Sequence, residues 1–220
     1  MTGVPGSGGE GALRRAAAVG PFFATVEGPL PDGFLPLAEL SGREFWQRRI
    51  AEVGERLGTA EPRVAASVAQ LGVAARLWSV ALGTAVLGGA VPDFDRSYWR
   101  LPPGGSLELW VPGAAVPDGP LAAALHRTVV EGQLTPLAAG IRTVTPVAEG
   151  LLRGNAASAL AGAVRVLRSG GGLAAELLDR PPLRGGLTAA GRRTSCCLYY
   201  RVPGAGLCGD CVFDRPPRHR

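Results

Sequence analysis

Four cysteines fall within sixteen residues, at Cys196, Cys197, Cys208 and Cys211, and the rest of the 220-residue chain has none. The run has the form C-C-x10-C-x2-C. Thiols confined to one window are not incidental core packing; they point to a ligand set or to paired disulfides. A [2Fe–2S] cluster takes four thiolates shared between two irons, so adjacent cysteines can attach to separate metal centres. Gly204 and Gly206 allow the chain to fold back, and Gly209 frees the turn of the second pair. A single zinc ion is harder to surround here, because zinc ribbons set two C-x2-C pairs about 15–20 residues apart. Two disulfides need an oxidising compartment, for which the N-terminal sequence gives no sign. All three arrangements stand on spacing alone, with the cluster fitting best.

The basic residues narrow the chemistry further. All 23 are arginine, and the chain has no lysine. A P-loop, a pyridoxal phosphate enzyme and a protein kinase each need a lysine, so these classes are excluded. Two histidines, His126 and His219, are too few for a histidine-rich metal site. Residues 1–179 carry fifteen arginines against sixteen acids, whereas residues 180–220 carry eight arginines against two aspartates. The positive charge therefore sits around the cysteines, where it attracts an anionic partner or ligand.

Apolar periodicity predicts a mainly α fold with a few short strands: a helical body followed by an irregular, cysteine-rich metal-binding module. Residues 1–36 read as a flexible, Gly/Pro-rich lead-in with a short helix near 13–19. Residues 37–212 form one domain, with the cysteine module at 192–212, and residues 213–220 form a basic tail. Ser41 and Glu44 read as a capping box for a helix ending at Gly58. A long helix starts at Pro62 and stops near Gly88-Gly89. A strand is expected at 107–111, helices at 121–131, 151–168 and 173–178, and the stretch 136–146 is ambiguous. The uncharged run 77–92 is too short to cross a bilayer, which takes about 20 residues, so a buried core helix and no transmembrane segment are expected. Arg14-Arg15 precede an apolar stretch broken by Pro21 and closed by Glu27, which does not make an export signal. Gly6 to Gly11 match G-x-G-x-x-G without a preceding strand and read as a terminus, not a nucleotide site.

Arg193-Thr194-Ser195-Cys196-Cys197, continuing through Tyr200-Arg201 to Cys208-Gly209-Asp210-Cys211, resembles the C-terminal signature of FhuF-type ferric siderophore reductases. The cysteine spacing matches that family's completely. Gly154-Asn155-Ala156-Ala157-Ser158-Ala159-Leu160 and Ala75-Arg76-Leu77-Trp78 are similar to further family segments, which extends the resemblance over 75–211.

The resemblance implies a [2Fe–2S] cluster on Cys196, Cys197, Cys208 and Cys211. It also implies a cytoplasmic oxidoreductase that passes one electron to siderophore-bound Fe³⁺ and so releases Fe²⁺ for iron acquisition. The expected partners are a ferric siderophore and a separate electron donor, either a ferredoxin or an NAD(P)H-dependent reductase. Nucleic acid is not expected. Arg192, Arg193 and Arg201 are the candidates for docking substrate or donor. Asn155 reads as a helix-start residue, and Trp78 as core. The alternative is a zinc-stabilised binding module that meets nucleic acid or an acidic protein through its basic C-terminal region.

Overall fold

A computed structural model describes residues 7–217. It is mainly helical, as expected. The helices are α1 (Ser7–Ala17), α2 (Arg43–Leu57), α3 (Pro62–Gly88), α4 (Leu121–Leu125), α5 (Thr135–Arg142), α6 (Glu149–Leu167) and α7 (Gly171–Leu178). Five strands of two or three residues accompany them: β1 (Leu35–Pro36), β2 (Val91–Pro92), β3 (Tyr98–Arg100), β4 (Glu108–Trp110) and β5 (Ala114–Ala115). They form two small antiparallel sheets, β1-β3-β4 and β2-β5. Phe45 of α2 meets Trp99 of β3 edge to face at 4.9 Å, which ties the larger sheet to the helices.

The axis of the fold is α3. Pro62 occupies its first turn, where a missing N–H costs nothing, and Gly89 closes it in the left-handed conformation at φ 65°. Small and apolar residues surround it, so α1, α2 and α6 all pack against it. Its 27 residues are long and apolar enough to cross a membrane by composition, but 67% of the apolar window is buried inside the fold. Trp78 is fully buried, as expected of core.

The lead-in differs from the expectation of a loose segment. Within its described part, α1 places Ala12, Leu13 and Ala16 on one buried face, and Phe23 follows them into the core. The approach is close enough that a Cβ on Gly88 would stand 2.2 Å from that of Ala12. Contact with α3 thus stabilises a glycine-rich helix that intrinsic propensity disfavours. Residues 1–6 of the lead-in and 218–220 of the basic tail, including His219, lie outside the described residues.

Two other local expectations fail. Ser41 does not cap α2; its hydroxyl donates to the Ala38 carbonyl at 2.7 Å, and Gly42 is the N-cap residue. The helix expected over 121–131 continues as a π-helical stretch, His126–Leu134, that runs into α5. The stretch left ambiguous is therefore helical as far as Arg142.

Arg76 fastens the N-terminal segment to this axis. It is 6% exposed and donates through Nε to the Leu107 carbonyl at 2.9 Å, and through its two other nitrogens to the carbonyls of Phe22 and Ala24. Burial lowers its pKa to about 10, with the charge of Glu108 partly restoring it, so the group is a cation at neutral pH. Replacing Arg76 with Leu leaves these carbonyls without their donors and is expected to cost about 2–4 kcal/mol in chemical denaturation, with faster proteolysis before residue 27. Lysine should recover only part of the loss, because it lacks the planar fork.

Candidate metal centre

The cysteine module is irregular but tightly seated. Thr188 and Arg192 close a turn through a 2.7 Å backbone bond, and the Arg193 amide donates to the Asp210 carbonyl at 2.9 Å, joining the two ends of the cysteine run. Thr194 donates its hydroxyl to the Gly185 carbonyl, and Ser195 donates to the Gly150 carbonyl in the first turn of α6, both at 2.6 Å. Gly154 permits this contact, since a Cβ there would lie 2.8 Å from the Ser195 hydroxyl. Between the cysteine pairs, Leu198 takes φ 65° ahead of a single 3-10 turn, Tyr199–Arg201, and Gly204 at φ 74° helps the chain fold back. Gly206 and Gly209 do not use the left-handed region.

The structure brings the four sulfurs into one neighbourhood. Cys197 and Cys208 Sγ are 3.4 Å apart, so the pairs separated by ten residues face each other. Backbone amides point at the other two: Leu198 N–H at Cys196 Sγ, 3.2 Å, and Phe213 N–H at Cys211 Sγ, 3.4 Å. Such N–H···S contacts stabilise thiolate charge and tune an iron–sulfur potential. Burial raises the pKa of Cys196 and of Cys208, and Arg193 opposes the rise at both. These thiols therefore keep their protons until a metal displaces them. Among the described residues, no three His, Cys, Asp or Glu side chains already stand close enough together to hold a metal ion. Two of the four thiols carry amide support, and four thiolates are the number that a two-iron group takes.

A buried polar relay carries the module. Arg193, 1% exposed, donates through Nε to Asp210 Oδ1 at 2.9 Å and through Nη1 to Asn155 Oδ1 at 2.6 Å. Asn155, on α6, donates to the Ser67 carbonyl and hydroxyl on α3 at 3.0 and 3.1 Å. Ser67 in turn donates to the Cys197 carbonyl at 2.6 Å. Burial raises the Asp210 pKa, but the Ser158 hydroxyl and the Arg193 guanidinium beside it outweigh that, and its carboxyl is held below the usual range.

These contacts correct two expectations. Arg193 is not a docking residue, because its guanidinium is spent inside the protein. Asn155 does not start a helix; it lies in the middle of α6 as the hinge of the relay. Arg192 and Arg201 do reach the surface. Arg192 holds the Cys211 carbonyl at 3.0 Å and Asp214 at 2.7 Å, while Arg201 pairs with Glu61 at 2.7 Å, linking the module to the start of α3. Tyr200 stacks edge-on against Phe213, and Tyr199 is exposed.

Residues 193–213 match the FhuF 2Fe-2S C-terminal domain. The matched FhuF segment holds all four cysteines, together with Arg193 and Asp210 of the relay. No curated protein matches the chain. The cysteines of this matched segment would hold a [2Fe–2S] group: they supply the four thiolates it takes, two of them with amide donors.

Beside Cys208 the cysteine module borders an open groove of about 820 Å³, lined by Phe22, Leu71, Ala75, Gly162, Val166 and Arg165 among others. Phe22 and Val166 are 47% and 59% exposed, a large apolar surface next to the thiols.

Cys→Ser at any of the four positions is expected to abolish or destabilise the visible chromophore while far-UV circular dichroism keeps most of its helical signal, since the helical core does not run through the sulfurs. Arg193→Gln removes a buried positive charge and should lower the midpoint potential by tens of millivolts, about 59 mV per tenfold change for one electron. Arg193→Lys should fall between the two. Voltammetry checks the order, and an unchanged potential in Arg193→Gln would falsify the electrostatic role.

Proposed function

We propose that the protein is a [2Fe–2S] ferric-siderophore reductase that releases Fe²⁺ in the cytoplasm. The match of residues 193–213 to the FhuF 2Fe-2S domain carries this reading, supported by the facing Cys197 and Cys208 sulfurs and the amide donors at Cys196 and Cys211. When bound, the group supplies one reversible electron. The chain's own residues do the rest. Arg193 and the two amides favour the more negative, reduced state, and the Ser67–Asn155 relay fixes the module on α3 and α6.

The groove beside Cys208 gives a ferric chelate a place to lie within electron-transfer reach, with an apolar floor and Arg165 on its lining. Siderophores hold Fe³⁺ through hard oxygen donors; one added electron gives Fe²⁺, which such oxygen cages bind far less tightly. The chelator leaves intact and the iron leaves as Fe²⁺. The electron comes from a separate ferredoxin or NAD(P)H-dependent reductase. Residues 7–11 of the glycine pattern lie in α1 and do not form a phosphate-cradling loop.

The test is a single turnover. Protein purified anaerobically and reduced with one electron should, on mixing with a ferric siderophore, reoxidise and yield one equivalent of Fe²⁺ to a ferrous trap. A colourless protein carrying one zinc would overturn the reading, as would a reducible cluster that transfers nothing to hydroxamate, catecholate or citrate-type chelates.

A further inference from the structure

A second cavity, of about 210 Å³, lies where the π-helical stretch, α5, α3 and α6 meet. It shares no lining residue with the groove beside Cys208. Its walls are mostly apolar, from Val130, Leu134, Ala138, Leu152 and Ala156. The volume far exceeds the ~10–15 Å³ that one water needs and approaches that of small-ligand pockets.

Two polar groups in this lining lack partners, and their needs are complementary. Gln70 is 1% exposed; its Nε2 donates weakly to the Leu152 carbonyl at 3.4 Å, and its Oε1 is buried with no donor. Arg153 has a buried Nε with no acceptor, and no carboxylate among the described residues pairs with its guanidinium. Glu149 and Arg142, which also line the cavity, pair with each other at 4.0 Å. A buried acceptor without a donor and a half-buried cation without an anion are both costly. One ligand carrying an anion and a donor relieves both at once.

We propose that this cavity binds a small aliphatic monocarboxylate bearing an O–H or N–H donor beside its carboxylate. The carboxylate meets Arg153, the donor meets Gln70 Oε1, and the alkyl chain lies among Val130, Leu134 and Ala138. The π-helical stretch, a form often found at functional sites, supplies two of these apolar residues. Gln70 lies one turn beyond Ser67 on α3, and Arg153 lies two residues before Asn155 on α6, so the site shares both helices with the relay that seats the cysteines.

Calorimetric titration of the cluster-loaded protein with leucate, isocaproate and isohexanol tests the assignment. Leucate has both the carboxylate and the hydroxyl, isocaproate lacks the hydroxyl, and isohexanol lacks the carboxylate. Leucate should bind saturably at one per chain, isocaproate about tenfold more weakly, and isohexanol not measurably. Arg153→Gln removes the anion partner, and Ala138→Phe fills the cavity without touching a polar group; each should weaken leucate at least about tenfold. No saturable binding of leucate up to about 10 mM would mean that water alone fills the cavity. Equal affinity for all three probes, or unchanged leucate affinity in both variants, would equally overturn the proposal.

Discussion

The buried guanidinium of Arg193 organises everything around the cysteines. It touches the cysteine run, through Asp210, and the helical body, through Asn155, at the same time. A cation this deep is tolerated because a carboxylate and an amide oxygen both face it. Specific polar contacts therefore position the module, and its two ends are locked together where the thiols must stay in register.

The helical body is built by a different rule. There α3 acts as a post against which α1, α2 and α6 pack, with small residues allowing the helices to approach and Arg76 pinning the segment before the first sheet. Uniform apolar packing gives the body its stability, and a few buried polar side chains on α3 and α6 give the module its address. Ser67, Gln70 and Asn155 are all buried in these helices. Each has a job at a boundary: two hold the cysteine segment, and the third faces a cavity.

Much of this was legible beforehand, for physical reasons that differ by element. The long helix was readable because proline at its start and glycine at its end punctuate a strong apolar run. The cysteine set was readable because its spacing is unlike incidental packing. The helix at Ser7–Ala17 was obscured by its glycines, since tertiary contact overrides poor propensity there. The Ser41 cap failed because its hydroxyl found a nearer carbonyl in the preceding 3-10 turn. Arg193 was mistaken for a surface charge because a sequence does not reveal that Asp210 and Asn155 fold around it. The signal that could have found Asn155 is a lone amide amid small apolar residues at a mid-helix position.

The platform for the cysteines is made of earlier chain. Gly154, Asn155 and Ser67 belong to helices that are synthesised before Cys196. The sulfurs come last, so the segment that carries them closes onto helices made earlier in the chain. The order of synthesis thus makes the earlier helices the mould and the cysteine segment the cast, with Ser67 and Asn155 as the keys that set its position.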